Sequence, residues 1–111
     1  MDQQLGSEVT DTTKQDGVKP LQVKKRETFT VKLWEDRTRG EQWVPAYDAK
    51  VFVLLEDDFF RTTSNNAVDS GSRSFEFQAR EVGRYPLEFH KRMAWKFTAE
   101  DRRIFSVTVE E

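Results

Sequence analysis

Glu27-Thr28-Phe29-Thr30-Val31-Lys32-Leu33-Trp34 is the stretch whose reading decides the fold. Apolar and polar residues alternate along it with a period of two, so Phe29, Val31 and Leu33 fall on one face. That is the pattern of a strand with one side buried, and Trp34 is expected to end it. The same alternation recurs downstream. Ser74-Phe75-Glu76-Phe77-Gln78 carries it, Arg84 to His90 places Tyr85, Leu87 and Phe89 together, and Arg103 to Val109 does so with Phe105, Val107 and Val109. Lys50-Val51-Phe52-Val53-Leu54-Leu55 is nearly continuous apolar and reads as a strand covered on both sides. The acids Glu56-Asp57-Asp58 are expected to form a solvated turn after it, with Phe59 and Phe60 starting another short strand. Thr62 to Arg73 reads as a long connection, and Glu81-Val82-Gly83 as a turn. Pro86 has no N–H for a ladder, which favours an edge position or a bulge.

These short strands come without an amphipathic helix, so the domain is all-β: a small sandwich or a partly open barrel. With no crossover helix available, antiparallel pairing is expected to dominate. The chain has 111 residues, enough for one domain and a tail. Residues 1–22 hold isolated apolar positions among polar ones and are expected to be a disordered tail, with the folded domain spanning 23–111. Nine Phe and three Trp supply the bulk for its core.

Several chemistries find no support. The chain has no Cys, which removes thiol nucleophiles, thiolate metal ligands and disulfides. His90 is the one imidazole, and its place in the alternation faces it to solvent, away from any nucleophile in an elbow. Consecutive strand residues point apart, so Glu56, Asp57 and Asp58 do not by themselves make a paired-carboxylate or metal site. No Gly-rich phosphate cradle occurs, and no cofactor is expected. No enzyme is indicated. A net charge of -2 offers no general attraction to nucleic acid or to an anionic membrane. No leader or membrane-length apolar run is visible; a cytoplasmic protein and a mature exported or lysosomal one both fit. A monomer is expected for the free chain.

Recognition through loops is what the residue types favour. Asp36-Arg37-Thr38-Arg39-Gly40-Glu41-Gln42-Trp43 is a polar turn with an internal glycine, closed by a tryptophan. Asp69-Ser70-Gly71-Ser72-Arg73 precedes the Phe75 strand, and Arg92-Met93-Ala94-Trp95 follows the Phe89 strand. Arg and Trp are common anchors of compact interfaces, although Trp43 suits the buttressing of its own loop equally well.

The order and spacing of these loops resemble the chagasin family of proteinaceous inhibitors of papain-like cysteine proteases. Its members carry an Asn-Pro-Thr-Thr-Gly turn with Trp three residues later, then a Gly-rich loop, then an Arg-Pro-Trp loop. Here Asp36 to Gly40 occupy the first motif, with Thr38, Gly40 and Trp43 matching outright. Arg37 stands at the family's Pro and Arg39 at its second Thr. Ser70, Gly71 and Ser72 stand in the second loop, and Arg92, Met93, Ala94 and Trp95 in the third. The resemblance spans about Val23 to Val109. It implies an immunoglobulin-like antiparallel β-sandwich of six to eight short strands. It also implies non-covalent blocking of a papain-like cysteine protease, with the first loop in the cleft and the other two flanking it. Two other uses of the scaffold stay open: a protein-interaction or structural module without inhibition, and binding of single-stranded nucleic acid through Arg92, Lys96 and the nearby aromatics.

Overall fold

The computed structural model describes residues 6–11, 17–61, 70–93 and 99–111. In chain order the strands are β1 (Gly6–Asp11), β2 (Val18–Lys24), β3 (Thr28–Asp36), β4 (Glu41–Ala46), β5 (Phe52–Arg61), β6 (Ser70–Ala79), β7 (Gly83–Met93) and β8 (Ala99–Glu110). They form two four-stranded sheets, ordered β1-β3-β6-β5 and β2-β8-β7-β4. Strand direction alternates along the chain, and the two sheets face each other as an immunoglobulin-like β-sandwich.

The alternation in the sequence becomes the core. Phe29, Val31 and Leu33 of β3, Phe75 and Phe77 of β6, Leu87 and Phe89 of β7, and Phe105, Val107 and Val109 of β8 are all buried. Phenylalanine rings join the two layers: Phe89 lies 5.1 Å from Phe75 and 6.1 Å from Phe77 across the interface, and 5.9 Å from Phe105 within its own sheet. Tilted and edge-to-face contacts of this kind add to the area they bury.

The N-terminal stretch departs from the expected tail. β1 and β2 both lie in or across residues 1–22, and each pairs in parallel, β1 with β3 and β2 with β8. The other four pairings are antiparallel, as expected. A polar segment can form such strands because an edge strand needs only ladder hydrogen bonds and one apolar side chain in phase. In β2 that side chain is Val23, buried in the core, with Leu21 packed against it.

β5 corrects two further expectations. Glu56-Asp57-Asp58 is no turn; the strand runs through it to Arg61, with a register shift between Leu54 and Glu56. Such a bulge adds one residue and exchanges which parity points inward. Before it, Phe52 and Leu54 pair with the inward Ala79 and Phe77; after it, Asp57 and Phe59 pair with the inward Phe75 and Arg73. Leu55 is exposed, so the apolar run is not covered on both sides. The connection after β5 is also shorter than expected, because Ser70 to Arg73 belong to β6. Residues 62–69 lie outside the described residues. Pro86 sits in β7 beyond Glu88, where the pairing with β4 ends, so β8 is its one lateral neighbour. The edge expectation holds locally although β7 is an inner strand.

If β2 belongs to the fold, Val23→Ala destabilises the domain by about 1–3 kcal/mol in urea unfolding. A disordered tail would leave the midpoint where it was.

Candidate functional site

Register places the flanks of all three singled-out loops at one end of the sandwich. Asp36, the last residue of β3, pairs with Ser70, the first of β6, while Arg61 at the end of β5 pairs with Gly71. Glu41, the first residue of β4, pairs with Met93, the last of β7, and Arg92 pairs with Ala99 of β8. The β3–β4 turn and the strand ends leading into 62–69 and 94–98 are therefore neighbours. Ala94 and Trp95 lie outside the described residues.

The β3–β4 turn is a single 3-10 turn, Arg37–Arg39, capped at both ends. Asp36 accepts through Oδ1 from the Thr38 N–H at 3.1 Å and from the Thr38 hydroxyl at 2.5 Å. Gly40 has φ 78° and donates its N–H to the Arg37 carbonyl at 3.1 Å. That left-handed conformation is open to glycine at little cost. The Asp36 N–H donates to Glu41 Oε1 at 3.1 Å, which closes the neck of the turn.

Beneath the turn lies Glu35, with 0% of its surface exposed. Its Oε2 accepts from the Trp43 N–H at 2.7 Å and from Arg73 Nη1 at 2.8 Å, and its Oε1 accepts from Arg37 Nε at 2.9 Å. Arg73 also grips Asp57, through Nε at 2.5 Å and Nη2 at 2.9 Å. The hydrogen bonds to Asp57, opposed by burial and supported by Glu35, raise the Arg73 pKa above its ordinary value, so its charge is permanent. Arg37 lies 3.9 Å from the centre of the Phe59 ring. One carboxylate thus ties the turn to β4, β6 and, through Arg73 and Phe59, β5.

A second set of contacts steadies β4 and β8. Glu41 Oε2 lies 3.6 Å from both Arg39 Nη1 and Lys91 Nζ. Trp43 is 2% exposed, donates Nε1–H to the Trp34 carbonyl at 2.7 Å, and is flanked by Lys91 and Arg103 at 5.7 and 5.5 Å from its ring. Asp101 pairs with Arg103 at 2.9 Å. Burial pushes the Asp101 carboxyl up, but the Arg102 N–H and the Arg103 charge outweigh it and hold it below its ordinary pKa.

The candidate residues therefore divide. Thr38 and Arg39 are exposed at the crest, Arg39 with 62% of its side chain accessible, and Arg92 is exposed nearby. Trp43 and Met93 are buried: both brace the end and offer no surface to a partner. Ser70, Gly71 and Ser72 form strand β6 and no loop. A Cβ on Gly71 would stand 2.1 Å from the Phe60 carbonyl oxygen, so this glycine permits the close approach of β5. His90 is half-buried with Nε2 3.0 Å from Glu88 Oε1. Sequence reasoning gives Glu35 no role, places Arg73 in a loop and Asp57 in a solvated turn, and does not bring the three together. For the first two a signal was present: Glu35 is in phase with Val31 and Leu33, and Arg73 with Phe75, so two opposite charges were both due to face inward.

Glu35→Gln leaves Arg37 and Arg73 facing a neutral amide. The expected loss is about 3–5 kcal/mol in denaturant unfolding, as for other buried pairs deprived of one partner. Gly71→Ala should also lower stability, by pushing β5 away.

The fold recurs among solved structures. A cysteine protease inhibitor from Entamoeba histolytica, EhICP2, superimposes with a TM-score of 0.79 at 16% identity, over 95% of this chain and 97% of that one. PbICP-C, solved in complex with falcipain-2, gives 0.64 at 10% identity, covering 95% and 98%. Amebosin gives 0.57 at 16% identity, covering 92% and 98%. At these identities the likeness is one of fold. No curated protein sequence matches the chain. The family model described as "Chagasin family peptidase inhibitor I42" matches residues 22–109, from β2 to the end of the core, and the chain belongs to this family of peptidase inhibitors.

Proposed function

We propose that this chain is a non-covalent inhibitor of papain-like cysteine proteases that seats the β3–β4 end of the sandwich in the active-site cleft. The observation that carries this reading is the braced turn: an exposed crest of Thr38 and Arg39 on a base locked by Glu35, Asp36 and Gly40. Family membership and the fold shared with a structure named as a cysteine protease inhibitor support the same choice of target.

The mechanism follows from rigidity. A loop held in one conformation before binding loses little entropy on docking, so more of the contact energy appears as affinity. In this proposal the turn fills the cleft beside the catalytic cysteine and histidine, and Arg92 with the segments 62–69 and 94–98 rests on its walls. Trp95 is the proposed aromatic anchor, and Arg92 a further contact. Inhibition is by occupation: the turn offers no bond in position for attack, so the inhibitor is released intact.

Titration of active papain-like proteases should remove activity stoichiometrically. Gly40→Val, strained at φ 78°, should weaken inhibition about tenfold, corresponding to about 1–2 kcal/mol of turn distortion. Trp95→Ala should weaken it by a similar or larger factor. Absence of inhibition across a protease panel at micromolar inhibitor would refute the reading.

A further inference from the structure

We infer that the binding end is built for an acidic partner surface, and that the papain-like protease it fits carries carboxylates on the rim of its cleft. The inference rests on the inhibitor reading and adds a specificity to it.

The chain as a whole is slightly acidic, at a net charge of -2, yet its charges are sorted. At the binding end, the acids Glu35, Glu41 and Asp101, among the described residues, are turned inward and already engaged. Glu35 has 0% exposure and serves Arg37, Arg73 and the Trp43 N–H. Glu41 is buried between Arg39 and Lys91. Asp101 is occupied by Arg103, and it accepts the Arg102 N–H at 2.7 Å. The cations at the same end stand outward. Arg39 is 62% exposed at the crest, Arg37 stays partly exposed above Phe59, and Arg92 and Arg102 are exposed where β7 and β8 approach the end. On the outer face of the first sheet, Asp36 is taken up in capping Thr38, and the exposed Asp58 and Glu56 lie farther down, opposite Ser74 and Glu76.

An arrangement that hides carboxylates and displays guanidinium groups presents a positive rim to whatever docks. Rim charges govern encounter rate and partner choice more than they govern tightness, because like charges on a wrong partner are penalised. Arg39 has the leading part, since it stands at the crest and shares its single carboxylate with Lys91. Its forked guanidinium suits a bidentate contact with a carboxylate.

The test uses the full chain and the best-inhibited protease of a panel. Inhibition constants and association rates are measured from about 0.05 M to about 0.5 M salt, across which screening rises severalfold. Arg39→Gln, Arg92→Gln and Arg102→Gln are compared with Lys50→Gln, an exposed control between β4 and β5 at the opposite end. The expected result is weaker inhibition and slower association at high salt. Each rim variant should lose up to about fivefold, with the salt dependence flattened and the control unchanged. Exchanging acidic cleft-rim residues of that protease for amides should abolish the difference between wild type and Arg39→Gln. Retained inhibition with no salt dependence and unaffected rim variants would overturn the inference while leaving the inhibitor reading intact. No inhibition of any protease, with salt-sensitive capture of a short single-stranded oligonucleotide, would overturn both.

Discussion

A carboxylate with no access to water must be met by positive charge and donors on every side, and this constraint at Glu35 organises the β3–β4 end of the sandwich. An isolated buried carboxylate would cost several kcal/mol in desolvation. Here three groups answer it: Arg37 from the turn, Arg73 from the neighbouring strand of the same sheet, and the Trp43 N–H from the other sheet. Each partner comes from a different element, so satisfying one charge fixes the geometry of three. The resulting bracket joins the two sheets at the end where the apolar core gives way to solvent. Aromatic packing stabilises the middle of the sandwich, and charge with hydrogen bonding takes over at its tip.

This bracket also accounts for a residue that looks out of place in the sequence. Members of the resembling family carry proline at the second turn position, where it would preset the backbone. Arg37, which has no ring to fix φ, cannot do that. Its guanidinium instead anchors the turn from below, against Glu35 and over Phe59. The same end result, a turn held in one conformation, is reached through side-chain contacts. Neighbours distant in sequence, Arg73 and through it Asp57, hold the Glu35 that Arg37 engages.

Much of the fold was legible because strand periodicity is a strong physical signal. Phe29, Val31 and Leu33, then Phe75 and Phe77, then Phe105, Val107 and Val109 all face the core as their spacing requires. The family was legible too, from the order of three short motifs. What escaped notice follows from interactions that leave little local trace. The β5 bulge exchanges parity in mid-strand, so the still exposed Asp57 stands on the side where it meets Arg73, in what looked like a solvated acidic turn. The polar N-terminus forms parallel edge strands whose ladder hydrogen bonds carry no side-chain signature. At the site, Trp43 and Met93 were motif residues with the chemistry of contacts, and burial makes them supports. Glu35 was visible only as an acid in phase with a hydrophobic row, a mismatch that points to a partner without naming it.

The central claim is that the β3–β4 turn is rigid before it meets a partner, and backbone 15N order parameters of the free protein test it most directly. The account predicts values near those of the adjoining strands, about 0.85, from Asp36 through Glu41. Values below about 0.6 across Arg37 to Gly40 would contradict it, since a turn that mobile is not held by the Glu35 bracket.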